Sequence, residues 1–395
     1  MANNTRRFVI RIKKNNEKIR LVTWFAFLAV VCLPFHTLQI GGIGLLLLIG
    51  APLLLLSMPV LLAQFKRTSW DSADIFLVAF FAYNVLGYVW TPSFSSYSLY
   101  NYVKIIVVVT CMYFQNYNRR EKDFLMAGSV LSCMIVCWFM LTGRNVGYTE
   151  YRLTVTVFGV EQDPNYLGYL FLVPMGVLIQ GFLNRKNVLT KGCCALLASV
   201  ILFCVMMTGS RGAFLGLAVV VIVCVVMRFN KLSEKIAFCV LMALVAVLIY
   251  NFILMLLPEN IVSRFSMQNV LKTGGTGRLD IWLDAIGAMQ RAPYKLLFGF
   301  GTGSSIPVIG WATHNFLIQL LLELGIVGTG LFLQFLWLWS KRLMKQDARG
   351  LSIVMGCMAL AMTLSVNTVY YFWFAFMQGI VCSKAKSGRK EAECP

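Results

Sequence analysis

Three residues in a mostly apolar chain could do chemistry at a membrane boundary: Arg211, Arg278 and His314. Arginine is permanently charged and presents a fork of N–H donors suited to phosphate or carboxylate. Histidine moves protons near neutral pH. Arg211 stands in the turn Thr208-Gly209-Ser210-Arg211-Gly212, between an apolar span that arrives outside and one that leaves. It either snorkels to head groups or holds an anionic group at the boundary. Arg278 opens an amphipathic segment, where a cation opposes the positive helix end. A bound anion nearby or a solvated surface arginine both fit that position. His314 and Asn315 end a long outer segment and start an apolar span. The other histidine, His36, lies in the outer half of the first span and reads as structural.

Positioning these residues is the work of a membrane bundle. Of 395 residues, 59% are apolar and 13% charged, against about 45–50% and about 25% in soluble domains. Apolar spans run over Leu21–Ile40, Gly42–Ala63, Ser72–Trp90, Tyr102–Tyr117, Phe124–Thr142, Asn165–Leu183, Cys193–Thr208, Gly212–Met227, Ile236–Leu257, Asn315–Trp339, Leu351–Asn367 and Val369–Cys382. Each has roughly the length that crosses a hydrocarbon core, so an all-α polytopic protein of about twelve crossings is predicted. The stretch Leu351–Cys382 is too long for one ordinary crossing, and a hairpin turning near Asn367 resolves it. With the N-terminus inside, most of the basic residues behind the net charge of +19 fall on the cytoplasmic side, the positive-inside asymmetry. The basicity is a topology signal, and nucleic acid is not implied. A basic segment 1–20, one membrane domain 21–382 and a basic tail 383–395 follow, with both termini cytoplasmic. Leu21–Ile40 is too long for a signal-peptide core and reads as the first anchor.

Two outer segments are long, 143–164 and 258–314. Long connections of this kind are usually functional or disordered, and the second, between spans 9 and 10, is too apolar for disorder. Within it, Thr276–Tyr294 carries Leu279, Trp282, Ile286 and Met289 at helical spacing, an amphipathic helix along the membrane surface. Thr276 can cap its start and Pro293 limits its end. Gly274–Gly277 precedes it, and Gly299, Gly301 and Gly303 follow; both stretches read as flexible hinges or as close backbone approach to a ligand. Glu323, about 13 Å deeper than His314, faces away from it and is expected to pair within the bundle. Asp280 and Asp284 share a solvated face, and no metal ligand set is implied. The twelve cysteines lie in spans or on the cytoplasmic side and read as small buried hydrophobes, with no disulfide framework.

The run His314-Asn315, nine residues, Gly325-Ile326-Val327-Gly328 resembles the H-N-x9-G-x-x-G signature of the bacterial O-antigen ligase and Wzy-type polymerase superfamily. The Arg211 turn, Gly277-Arg278 followed by Trp282, the Gly299–Gly303 segment and Asp163-Pro164-Asn165 resemble its other pieces. The resemblance covers about residues 160–330. It implies a GT-C-like membrane glycosyltransferase taking a glycan from undecaprenyl diphosphate at the outer face of the inner membrane, facing the periplasm, inverting and independent of metal or cofactor. In that chemistry Arg211 and Arg278 would stabilise the diphosphate, and His314 would take the acceptor's proton. Asn315, Asp163 and Asn165 would contact substrate, while Arg152, Arg264 and Arg291 would bind phosphate or acidic sugars. The acceptor is either another lipid-linked glycan, in a polymerase, or lipid A core, in a ligase. Compact outer loops and the Asp163-Pro164-Asn165 opening lean toward the polymerase. The lipid bilayer and a chain-length regulator are the further partners implied. A transporter or flippase also suits twelve helices, but it would place its polar groups near the midplane.

Overall fold

Peptide groups in lipid must be paired within the chain, so apolar spans fold as helices. The computed structural model describes residues 18–67, 70–143, 146–149, 152–237, 240, 255, 277–381 and 383. The helices are α1 (Leu21–Val31), α2 (Leu45–Phe65), α3 (Ser72–Gly87), α4 (Ser96–Phe114), α5 (Arg119–Leu141), α6 (Leu167–Asn184), α7 (Val188–Met207), α8 (Arg211–Arg228), α9 (Arg278–Arg291), α10 (Lys295–Phe298), α11 (Ser305–Ile309), α12 (Phe316–Gln346), α13 (Ala348–Ala361) and α14 (Tyr370–Val381). Among the described helices, seven are long and apolar enough to cross a membrane: α2, α4, α5, α6, α7, α8 and α12. The chain is a mostly helical, multi-pass membrane protein. Most of the expected span Ile236–Leu257, the residues 1–17 and 384–395, Arg264, Thr276 and Gly274 lie outside the described residues.

Several boundaries differ from the sequence expectation for physical reasons. The first span is helical only to Val31, because Pro34 lacks an N–H and the chain passes through a 3-10 turn, Leu33–Phe35, into a hairpin of β1 (Gln39–Ile40) and β2 (Ile43–Gly44). Helix α4 starts earlier than Tyr102, capped by Ser95, whose hydroxyl accepts from Ser98 N–H. The outer segment 143–164 forms a three-stranded antiparallel sheet of β3 (Val146–Thr149), β4 (Arg152–Val157) and β5 (Val160–Gln162). Alternating Thr and Val in β4 suit a half-buried strand, and Val155 pairs with both Val146 and Gln162. Gln162 ties this sheet to the bundle, donating to the Pro34 carbonyl at 2.6 Å.

The terminal stretch turns back on itself. Ser383, just beyond α14, donates to Asp347 at the start of α13 at 3.0 Å, and Gly350 and Gly379 bring the two backbones into contact. The connecting residues 362–369 therefore sit at the opposite end of the bundle, beside the starts of α6, α8 and α12. At the Asp347 end, Glu121 is sealed: Thr23 donates to it at 2.7 Å and Arg20 Nε at 2.8 Å, while Asn118 and Glu121 form a reciprocal cap on α5. Asp74, at the same end, accepts from Tyr113 at 2.7 Å and from Gln64 at 3.2 Å.

Candidate active site

His314 occupies an unusual backbone conformation, with φ of 47°, and a non-glycine residue holds such a conformation only where its surroundings impose it. Three contacts impose it here. The His314 N–H donates to Ser365 Oγ at 2.9 Å, and the Thr313 and Ser365 hydroxyls share a hydrogen bond at 2.9 Å. The Trp282 indole N–H donates to the Thr313 carbonyl at 2.9 Å. The next residue, Asn315, caps α12, its side-chain oxygen accepting from Leu317 N–H at 3.0 Å and Ile318 N–H at 3.2 Å. The His314 side chain stays half-buried at the mouth of the bundle.

Arg211 is the first residue of α8. Ser210 accepts from Ala213 N–H at 3.3 Å and donates to Asn165 Oδ1 at 3.3 Å, joining this turn to the start of α6. Asp163 accepts from Asn165 N–H at 2.7 Å, fixing the bend that leads into α6. Gly212 is required by its neighbour: a Cβ there would lie 2.1 Å from Thr363 Oγ1. Residues 363–365 thus meet three pieces of the site, because the Tyr166 hydroxyl also donates to the Ser365 carbonyl at 3.4 Å. Thr363 backs the Arg211 turn and Ser365 holds His314.

Arg278 is likewise the first residue of its helix, α9, preceded by Gly277 in the left-handed conformation. Both arginines stand at a helix N-terminus, where the dipole is already positive and an anion is favoured. One turn after Arg278, Trp282 makes the bond to Thr313 that joins α9 to the His314 segment. The apolar stripe expected on α9 splits in two. Ala285, Ala288 and Met289 pack inward against Leu322, while Leu279, Leu283 and Ile286 remain exposed, the face such a helix turns to lipid. Asp280 and Asp284 are exposed. Arg291 lies about 20 Å along the helix from Arg278, and its guanidinium folds back toward Gly287. It is not brought to His314. Arg152 lies on β4, and its side chain is outside the described part.

The glycine segment approaches the chain's own backbone. Helix α12 is broken at Gly325, with φ of 65° and ψ of −166°. The freed carbonyls of Leu322 and Glu323 accept from Phe300 N–H at 2.9 Å and Gly301 N–H at 2.8 Å. A Cβ at Gly299 would lie 2.2 Å from the Glu323 carbonyl oxygen, and one at Gly325 2.4 Å from that of Leu297. Non-helical backbone at this depth is tolerated because it is buried in protein. The Glu323 carboxylate, buried as expected, accepts from Ser305 at 2.6 Å and Gln319 at 3.2 Å. Asn367 links Asn84, at 2.7 Å, to the same cluster. Cys193 is exposed rather than buried. Sequence reasoning missed Thr363 and Ser365. The available signal was their polarity at the apex of an otherwise apolar hairpin.

The segment from α7 to α12 carries Arg211, Arg278 and His314 in that order. Residues 195–333 match the O-antigen ligase family model. The match supports the resemblance to the O-antigen ligase and Wzy-type superfamily, whose members are glycosyltransferase-like enzymes of polysaccharide biosynthesis, and with the helices it marks a multi-pass bacterial membrane protein. The match includes the broken helix and its glycines but stops before the Thr363–Ser365 turn. No curated protein matches the chain.

Proposed function

We propose that the chain transfers a glycan from undecaprenyl diphosphate to an acceptor hydroxyl at the outer face of the inner membrane, without a metal. The observation that carries this reading is the hydrogen-bonded link from α9 through Thr313 and His314 to Ser365, whose neighbour Thr363 backs the Arg211 turn. His314 takes the proton of the acceptor hydroxyl as its oxygen bonds to the anomeric carbon. The bond from that carbon to the diphosphate oxygen breaks on the opposite face, inverting the centre. Undecaprenyl diphosphate leaves with the electron pair. Arg211 and Arg278 meet the developing charge, and each contributes a few kcal/mol, ~10²–10³ in rate, on the scale of oxyanion donors.

A polymerase, with a second lipid-linked glycan as acceptor, is the reading favoured by the compact outer sheet and the tight Asp163-Pro164-Asn165 bend. A ligase acting on lipid A core is favoured by the name of the matching family. Purified protein given an undecaprenyl-diphosphate oligosaccharide, with and without lipid A core, separates them. A ladder of repeats without core identifies the polymerase; product only with core identifies the ligase. Wild-type product no different from that of His314→Ala under every condition overturns the chemistry and leaves lipid-linked glycan transport to be tested.

A further inference from the structure

A second group of chemically capable side chains lies at the same end of the bundle, away from Arg211, Arg278 and His314. Lys104 stands two turns into α4, where an ionisable residue within a spanning helix calls for a partner. Among the described residues its partners are aromatic. Its ammonium lies 4.3 Å from the centre of the Tyr100 ring. Tyr97 and Tyr100 project from the first turns of α4 and are 74% and 49% exposed.

The rest of the group comes from other elements and is firmly held. The His36 Nδ1 lies 2.7 Å from the Leu33 carbonyl, which can only accept, so Nδ1 carries the proton and neutral His36 keeps Nε2 as an acceptor. Its ring is 4.7 Å from that of Tyr370, whose hydroxyl donates to the Asn101 carbonyl on α4 at 3.3 Å. Tyr371 donates to Gln162, which is anchored to Pro34. A snorkelling lysine beside belt tyrosines would need none of this convergence from α4, the 3-10 turn, β5 and α14. The patch also continues into the catalytic end: Tyr370 follows the Ser365 turn on the same chain segment, and Tyr166, which donates to Ser365, follows Gln162 closely.

One localised positive charge, flat aromatic faces and a fixed histidine acceptor are the components that recognise a sugar ring bearing a carboxylate. The ring's C–H face packs on tyrosine, the carboxylate meets the ammonium, and a hydroxyl donates to Nε2. We propose that Lys104, Tyr97, Tyr100, His36 and Tyr370 form a subsite for a carboxylated sugar of the glycan substrate. This rests on the glycan-transfer reading above and narrows its substrate to acidic polysaccharides.

The test is binding, which needs no turnover and so separates failure of this subsite from failure of the transfer chemistry. Purified full-length protein in neutral phosphatidylcholine nanodiscs is titrated with tetrasaccharides containing glucuronate, galacturonate or N-acetylneuraminate, and with their carboxyl-reduced counterparts. At least one acidic probe should bind about tenfold more tightly than its reduced form, the scale of one charge-assisted contact. Lys104→Gln should abolish that preference, Lys104→Arg should retain it, and Tyr100→Ala should weaken both forms of the probe. A melting curve confirms that each variant is folded, and Lys104→Arg and Tyr100→Ala decide the matter if Lys104→Gln is not. No preference for any acidic probe overturns the proposal. So does a preference that survives Lys104→Gln, or one that disappears when phosphatidylglycerol is added, which would assign Lys104 to lipid phosphate.

Discussion

The two ends of the helical bundle spend their charges in opposite ways. At the end where α1 and α5 begin, three arginines form ion pairs between or within helix ends: Arg20 forks onto the buried Glu121, Arg342 meets Asp71, and Arg349 lies beside Asp347. At the other end, Arg211 and Arg278 stand on helix N-termini and Lys104 on aromatic faces. One end uses charge to hold helices together, and its ion pairs need nothing further. At the other, under the proposed function, cations at helix N-termini would meet an anionic substrate. Substitutions at the first end should therefore change stability, and those at the second should change chemistry.

The largest effect should come where the glycine segment docks on the broken α12. Gly325→Ala places a Cβ 2.4 Å from the Leu297 carbonyl at a positive φ, a conflict of roughly 3 kcal/mol or more. Size-exclusion profiles in detergent should show loss of the folded species, and a normal profile would mean that the helix break is not required. Next, His314→Ala should lower turnover ~10²–10⁴-fold, and Arg211→Lys or Arg278→Lys ~10²–10³-fold, with little change in melting temperature. A matching fall in melting temperature would erase the distinction between the two ends.

Ser365→Ala probes the tie itself. Losing the acceptor for the His314 N–H should reduce kcat about tenfold through misorientation, with KM nearly unchanged and partial rescue by Ser365→Thr. The smallest effect on turnover belongs to the clamped end. Glu121→Ala leaves Arg20 and Thr23 without their shared acceptor and should cost about 2 kcal/mol of stability, while the folded fraction keeps its activity.

Much of the bundle is legible because lipid imposes a simple rule on composition. The helix beginning after His314-Asn315 and the helix opened by Arg278 both follow from local residue type. What escaped was set by contacts distant in sequence. Ser365 touches His314 across 51 positions, and the polarity of Thr363 and Ser365 at the hairpin apex marks a turn without naming the partner. The roles of Gly299 and Gly325 depend on each other's position, so the first reads as a hinge or ligand contact and the second only as part of a signature. The sheet in segment 143–164 was not anticipated: β4 is only six residues, and its pairing with β3 and β5 is set by turns rather than by a long alternating run.

The docking of the glycine segment onto the broken α12 also bears on the order of assembly. Phe300 and Gly301 emerge from the ribosome before the carbonyls of Leu322 and Glu323 that accept their N–H groups. Ser365, which holds His314, is synthesised later still, within the last helical hairpin. No nascent intermediate lacking that hairpin can hold His314 as the finished protein does. The setting of His314 is therefore completed only at the close of membrane insertion; under the proposed function, a partly synthesised chain would not yet turn over its substrate.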